Sequence, residues 1–256
     1  MSFEASLKGK KVIVTGASKG IGRALVAKLS SYGAIVTGIA NDGGGLASLK
    51  GDCPGVQTVE VDLADWNATR SAVEGIGPVD ILVNNAALLF GDGFFNITPE
   101  IVDKTMDVNL KAVINVSQVV AKGMVDSGTG GNIVNISTVA ALRAYPNASV
   151  HSISKAALDM LTKLMAVELG PKGIRVNSVN LGSVMTDMLT TWIEDLITFT
   201  GKSMEQVQSS FLERVPMQKS LVDMDDALNT ILFAMSDLSA ITSGTKFVVD
   251  GGFCAT

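Results

Sequence analysis

The chain has 256 residues, 47% of them hydrophobic, with a positive mean hydropathy, enough to bury one large core or two modest ones. Twenty-five acidic against 20 basic residues leave a net charge of −5, and no run of Lys or Arg gathers into a patch that would neutralise the phosphates of a duplex, so nucleic acid is not expected as a partner. Cys53 and Cys254, two cysteines far apart and without metal-ligand spacing, give little support to a disulfide framework or a zinc site, and every apolar stretch breaks off short of the ~18 residues that a membrane span needs; no metal, no membrane and a cytoplasmic location are expected.

Along the chain, β-branched apolar runs alternate with amphipathic segments, the pattern of a parallel sheet covered by helices on both faces. Strands are predicted near Lys11–Val14, Ile35–Ile39, Thr58–Val61, Ile81–Asn84, Ile133–Ser137, Arg175–Val179 and Lys246–Val249. Helices are predicted near Ile21–Ser31, Asn67–Gly75, Glu100–Asp126, Ser149–Leu169 and Asp223–Ser236. Seven strands make one doubly wound α/β sheet, a single Rossmann-like domain over residues 1–256. Gly43, Gly44 and Gly45 read as a mobile loop. Thr186 to Arg214 is helical in composition without a strand signal, an insertion expected over the carboxyl edge of the sheet, where residues 187–214 would wall a substrate.

The strongest local signal is KKVIVTGASKGIGRALV, a buried strand running into Gly16, Gly20 and Gly22 and then into an apolar-faced helix. Glycines there permit a tight turn, let backbone amides approach a pyrophosphate and allow the helix to pack close to the sheet, while the helix amino terminus favours an anion. Dinucleotide binding is the expectation, carried by Gly16, Ser18, Lys19, Gly20, Ile21 and Gly22.

The GxxxGxG spacing, the NNAA at Asn84–Ala87, the VNL at Val108–Leu110 and the helix around Lys155 resemble, in this order and at these intervals, the short-chain dehydrogenase/reductase family, over nearly the whole chain. The stretches CPGVQTVEVDLADW, GPVDILVNNAA, ALDMLTKLMAVELGPKGIRVNSVN and GGFCAT are similar to its dicarbonyl and L-xylulose reductase branch, which reduces small sugars and α-dicarbonyls with NADPH. The resemblance implies a catalytic Asn–Ser–Tyr–Lys set, matched here by Asn109, Thr138, His151 and Lys155. Two of the four differ. Threonine keeps a donor and an acceptor but adds a methyl and a stiff χ1.

The tyrosine replacement matters more, because the family's phenol protonates the carbonyl oxygen, and its lysine holds the nicotinamide ribose and lowers the phenol pKa. His151, the only histidine, shares a helix face with Lys155 at spacing i,i+4. An imidazole beside an ammonium is expected to be mostly neutral at pH 7. Tyr145, in a loop before this helix, would have to fold back to take the phenol's place.

For the coenzyme, NAD-specific relatives end the second strand with an aspartate and NADP users place a basic residue beside it; Ala40 and Asn41 stand at those positions and supply neither. Asp42 would repel a 2′-phosphate and Lys19 would attract one, so NADP(H) is expected, with NAD(H) the alternative. The resemblance further implies Asp62 and Leu63 at the adenine, Asn84 and Ala86 at the adenosine ribose, and Thr186 at the carboxamide. Asn180-Leu181-Gly182 lacks the usual proline after asparagine. Surplus apolar stripes on Ala112–Val125 and Ala156–Leu169 fall on the helices that relatives pair in forming tetramers, so a homotetramer is expected. Two function classes follow: a reductase of small ketoses or dicarbonyls with an altered proton donor, or a catalytically impaired homologue that keeps the coenzyme cleft for binding, structure or regulation.

Overall fold

The computed structural model describes residues 2–218 and 221–256. Seven strands, β1 (Lys11–Thr15), β2 (Ile35–Ala40), β3 (Gln57–Glu60), β4 (Ile81–Asn84), β5 (Gly131–Thr138), β6 (Ile174–Leu181) and β7 (Lys246–Val249), pair in parallel in the order β3-β2-β1-β4-β5-β6-β7. The order reverses between β1 and β4, and at such a switch point the connecting loops diverge and leave a crevice at the carboxyl ends of the strands.

The helices are α1 (Phe3–Leu7), α2 (Gly20–Ser31), α3 (Gly43–Asp52), α4 (Trp66–Ile76), α5 (Pro99–Met106), α6 (Ala112–Asp126), α7 (Ser149–Leu169), α8 (Asp187–Thr200), α9 (Met204–Leu212) and α10 (Met224–Met235). Because successive strand residues face opposite ways, β1 sends Val12 and Val14 into a core with Leu25 and Leu29 of α2 and Ile231 of α10. Ile13 between them joins Leu82, Ile133 and Val176 beneath Val116, Val120 and Met124 of α6. Both faces are covered, which is why the central strands read as continuous apolar runs.

Three segments differ from the sequence reading. Residues 43–45 form the first turn of α3, because Asp42 caps it: its Oδ1 accepts from Gly45 N at 2.9 Å. The predicted helix Glu100–Asp126 is interrupted by a π turn at Asp107–Lys111, between α5 and α6. The insertion is two helices, α8 and α9, separated by Gly201 in a left-handed conformation and restarted by a capping box between Ser203 and Gln206. They close over the sheet edge through Leu189, Trp192, Leu196 and Val207, packed on Ala148 and Leu89. Among the described residues no helix is long and apolar enough to cross a membrane, and no cluster of His, Cys, Asp and Glu is placed to hold a metal.

Candidate active site

The glycine turn lies at the carboxyl end of β1 and opens α2. Gly16 and Gly20 have φ of 67° and 56°, conformations that L side chains rarely adopt. A Cβ on Gly16 would stand 2.9 Å from Ala86 Cα, and one on Gly22 would collide with the Gly16 carbonyl. The turn is thus kept bare by its own backbone. Lys19, exposed at the N-cap of α2, gives no side-chain cap and no acid stands in the first turn, so the positive end of the helix is left for an external anion. The residues present fit a pyrophosphate: a side-chain-free bend opposite an uncapped helix start. Buried Ser18 and partly buried Ile21 flank it.

The other cofactor candidates border the same crevice with differing freedom. Asn84 is 2% exposed and spends its amide hydrogens on Ser117 Oγ (3.0 Å) and Asn135 Oδ1 (2.9 Å), so its side chain is a strut between β4, β5 and α6. Its neighbour Asn85, not singled out in the sequence, ties β4 to the glycine turn: its Nδ2 donates to the carbonyls of Thr15 (2.9 Å) and Gly16 (3.2 Å). Ala86 N donates to Thr15 Oγ1 at 3.1 Å. Beyond β3, Asp62 is exposed and turns its Oδ1 to Ala64 N, while Leu63 is buried. Asn41 is exposed beside capping Asp42. Thr186 caps α8 by accepting from Leu189 N, and its Cγ2 comes within 3.4 Å of where a Gly20 side chain would begin, bringing the insertion up to the glycine turn.

His151, Lys155 and Asp159 form one ladder on α7 at i, i+4 and i+8, each nearly buried. Lys155 Nζ donates to the Ile136 carbonyl at 2.7 Å, which anchors it to β5 near that strand's carboxyl end. Burial lowers its pKa to about 8, partly opposed by the carboxylate of Asp159. Asp159 Oδ2 accepts from Asn180 Nδ2 at 2.8 Å, linking the ladder to the end of β6. Burial, and secondarily the Lys155 charge, lowers the His151 pKa to about 4.

Asn109 sits on the π turn, wholly buried, and knits His151 to the segment after β4. Its Oδ1 accepts from Leu88 N (2.7 Å), and its two Nδ2 hydrogens go to the Leu88 carbonyl (3.0 Å) and to Ser154 Oγ (3.0 Å). Ser154 passes its own hydrogen to the His151 carbonyl at 2.7 Å. No Asn109 hydrogen remains for His151 Nδ1, 3.5 Å away, so Nδ1 carries the ring hydrogen and donates it to the Leu88 carbonyl at 2.8 Å. In the neutral ring Nε2 is then bare, and it has no protein hydrogen-bond partner among the described residues.

Thr138 ends β5, half-buried, with its Oγ1 accepting from Ala140 N at 3.2 Å. Tyr145 does not fold back to the ladder. Its ring stacks between Phe253 (5.2 Å) and Phe211 (6.0 Å) beside Trp192, and burial pushes its phenol pKa up, away from acid chemistry near neutrality. Together with Val139, Ser183 and Phe211 it lines a cavity of about 530 Å3 under the insertion.

A short-chain dehydrogenase family model matches residues 10–196. The chain belongs to the short-chain dehydrogenase/reductase family. Over 99% of its length it is 47% identical to L-xylulose reductase from Bos taurus and 43% identical to carbonyl reductase [NADPH] 2 from Sus scrofa, in each case across 100% of the relative. A crystal structure of gluconate 5-dehydrogenase from Burkholderia cenocepacia J2315, in complex with NADP and tartrate, superposes with a TM-score of 0.87 at 26% identity, covering 98% of this chain and 97% of that one. Membership makes the chain an oxidoreductase of the ketose and carbonyl reductase kind, with a nicotinamide dinucleotide as its coenzyme.

Proposed function

We propose that this chain interconverts a small ketose or α-dicarbonyl and its alcohol with NADP(H), with His151 handling the proton in place of the family's phenol. The observation that carries the reading is the buried pair of His151 and Lys155 on one face of α7, the lysine fixed to β5 and the imidazole fixed through Leu88 to Asn109. When bound, the coenzyme supplies or accepts the hydride at the substrate carbon. Gly16, Ser18, Lys19, Gly20, Ile21 and Gly22 hold the pyrophosphate side, Asn41, Asp62, Leu63 and Ala86 border the adenosine with Asn84 bracing them, and Lys155 and Thr186 meet the nicotinamide end. Lys19 favours NADP(H) over NAD(H). Thr138 polarises the substrate oxygen, which requires its hydroxyl hydrogen, free while the oxygen accepts from Ala140 N.

A homotetramer in the cytoplasm is part of this reading. Ile153, Met160, Leu164 and Val167 of α7 are exposed large apolar side chains, the kind of surface that a second copy covers. The competing reading, a coenzyme-binding homologue without turnover, draws on the paired changes at Thr138 and His151.

NADPH absorbance followed with L-xylulose and diacetyl decides between them. Turnover by the unaltered protein that is abolished in His151→Phe supports the proposal; turnover undiminished in that variant removes His151 from the mechanism, and no turnover with either carbonyl supports the binding protein.

A further inference from the structure

Resting on that reading, we propose that His151 Nε2 works as a hydrogen-bond and proton acceptor for an alcohol hydroxyl, so that at neutral pH the site selects the polyol member of its redox couple over the carbonyl member. The argument starts from the closed hydrogen inventory around Leu88. The Leu88 carbonyl receives Asn109 Nδ2 and His151 Nδ1, which occupies both its lone pairs, and both Asn109 hydrogens are already placed. The Nδ1–H tautomer is therefore built into the fold, and the one ring nitrogen left for a ligand offers a lone pair. An alcohol brings the hydrogen that this lone pair needs. A carbonyl brings none, and meets Nε2 lone pair to lone pair. A phenol in this position would serve both ligands, since it donates as well as accepts.

The surroundings hold the ring in that state. Of the charged groups on the segments around it, Asp92 after β4 is engaged by the Ser149 and Val150 amides, Asp107 and Lys111 on the π turn pair with each other at 2.6 Å, and Arg143 before α7 is bonded to the Phe253 carbonyl. Glu100, Asp103 and Lys104 on α5, Asp159, Lys163 and Glu168 further along α7, and Lys172 and Arg175 around the start of β6 are the others, and Lys155 is the one whose charge acts on the imidazole, against protonation. With the pKa lowered to about 4, about one ring in a thousand is imidazolium at pH 7.

In the oxidative direction the carbinol hydrogen leaves carbon as hydride to the oxidised pyridine nucleotide, and the O–H electron pair becomes the second carbon–oxygen bond. The hydroxyl proton passes to Nε2 and from there to water. The reverse direction needs the rare imidazolium. Its kcat/KM therefore falls about tenfold per pH unit above the His151 pKa, while oxidative kcat/KM stays level, a ratio that matches the proton consumed in the overall equilibrium.

Because the chain has a single histidine, the test can be made without turnover. Nitrogen-15 NMR of the ring in tag-free protein at pH 7 is expected to show one protonated nitrogen, Nδ1, and one bare nitrogen, Nε2. An imidazolium, or a hydrogen on Nε2, overturns the inference. In parallel, xylitol oxidation with NADP+ is expected to hold level between pH 6 and 8 while L-xylulose reduction with NADPH drops about 100-fold. The opposite pattern, level reduction and oxidation rising about 100-fold over the same range, overturns this inference and leaves the proposed function standing. Absence of turnover in both directions overturns the two together.

Discussion

Asp92 caps α7, the helix that carries His151 and Lys155, from 58 residues away, its Oδ2 2.9 Å from Val150 N and its Oδ1 2.7 Å from Ser149 N. The N-cap residue of α7, Ala148, has no side chain able to do this, so first-turn amides that would otherwise be unpaired and buried are satisfied from the segment after β4. The same segment supplies the Leu88 carbonyl to His151 four residues earlier. Asp92→Ala is therefore expected to cost roughly 1–2 kcal/mol in chemical denaturation and to lower kcat more than it raises KM, because the ladder loses its register and the coenzyme turn is untouched. Asp92→Asn, which retains one acceptor, is expected to recover part of both. Equal, purely structural losses in the two variants with kcat unchanged would show that the cap does not position His151.

Acid should destabilise the protein through His151. Its folded pKa of about 4 lies below the unfolded value near 6.5, so between these limits the unfolded chain binds the proton and the folded chain does not. Stability therefore increases as pH rises from 4 to 6.5, and the contribution lost on going down through that window is about 3 kcal/mol. Urea denaturation at pH 7 and pH 4 is expected to give a smaller acid loss for His151→Gln, which does not titrate and still donates to Leu88, by about that amount.

Lys155→Met separates the two causes of the low His151 pKa. Burial is the larger cause and the ammonium the smaller, so in this variant the midpoint followed by NMR is expected to rise above about 4 but to remain below 6.5. A midpoint that does not move would mean that the two groups do not interact. The same variant is expected to bind coenzyme more weakly.

At the adenosine end, Asp42 has a second job as the cap of α3, which allows charge and structure to be separated. Asp42→Asn keeps a good cap and removes the negative charge, so a tighter NADPH complex with stability changed by only a few tenths of a kcal/mol is expected. Lys19→Ala should weaken NADPH by a larger factor than NADH. Dissociation constants for both reduced coenzymes check the pair, and NADH tightening equally in Asp42→Asn would rule out a 2′-phosphate effect.

Period and turn chemistry made the sheet legible: the strands are runs rich in β-branched residues, closed by Gly, Asn or Asp in all but β5, which ends in Ser137 and Thr138, and the i,i+4 spacing of His151 and Lys155 fixed their common face. What stayed hidden depends on partners far along the chain. Asp92 sits in a loop without local signal, because the amides it serves are 57 and 58 residues on. The π turn under Asn109 continues the helical period and is betrayed by no breaker residue. The glycines at 43–45 argue against a helix by propensity, and a single aspartate cap together with packing of Leu46 and Leu49 overrides them. Asp159 was within reach, since it extends the His151–Lys155 spacing by one more turn.

The central claim, that an imidazole does the proton work of a phenol here, is tested most directly by reduction of L-xylulose with NADPH, comparing the natural chain with His151→Tyr from pH 5 to pH 8. The natural chain is expected to turn over, fastest at pH 5 and slowing about tenfold per pH unit, while His151→Tyr overtakes it at neutral pH. A natural chain inactive at every pH beside an active His151→Tyr would contradict the claim.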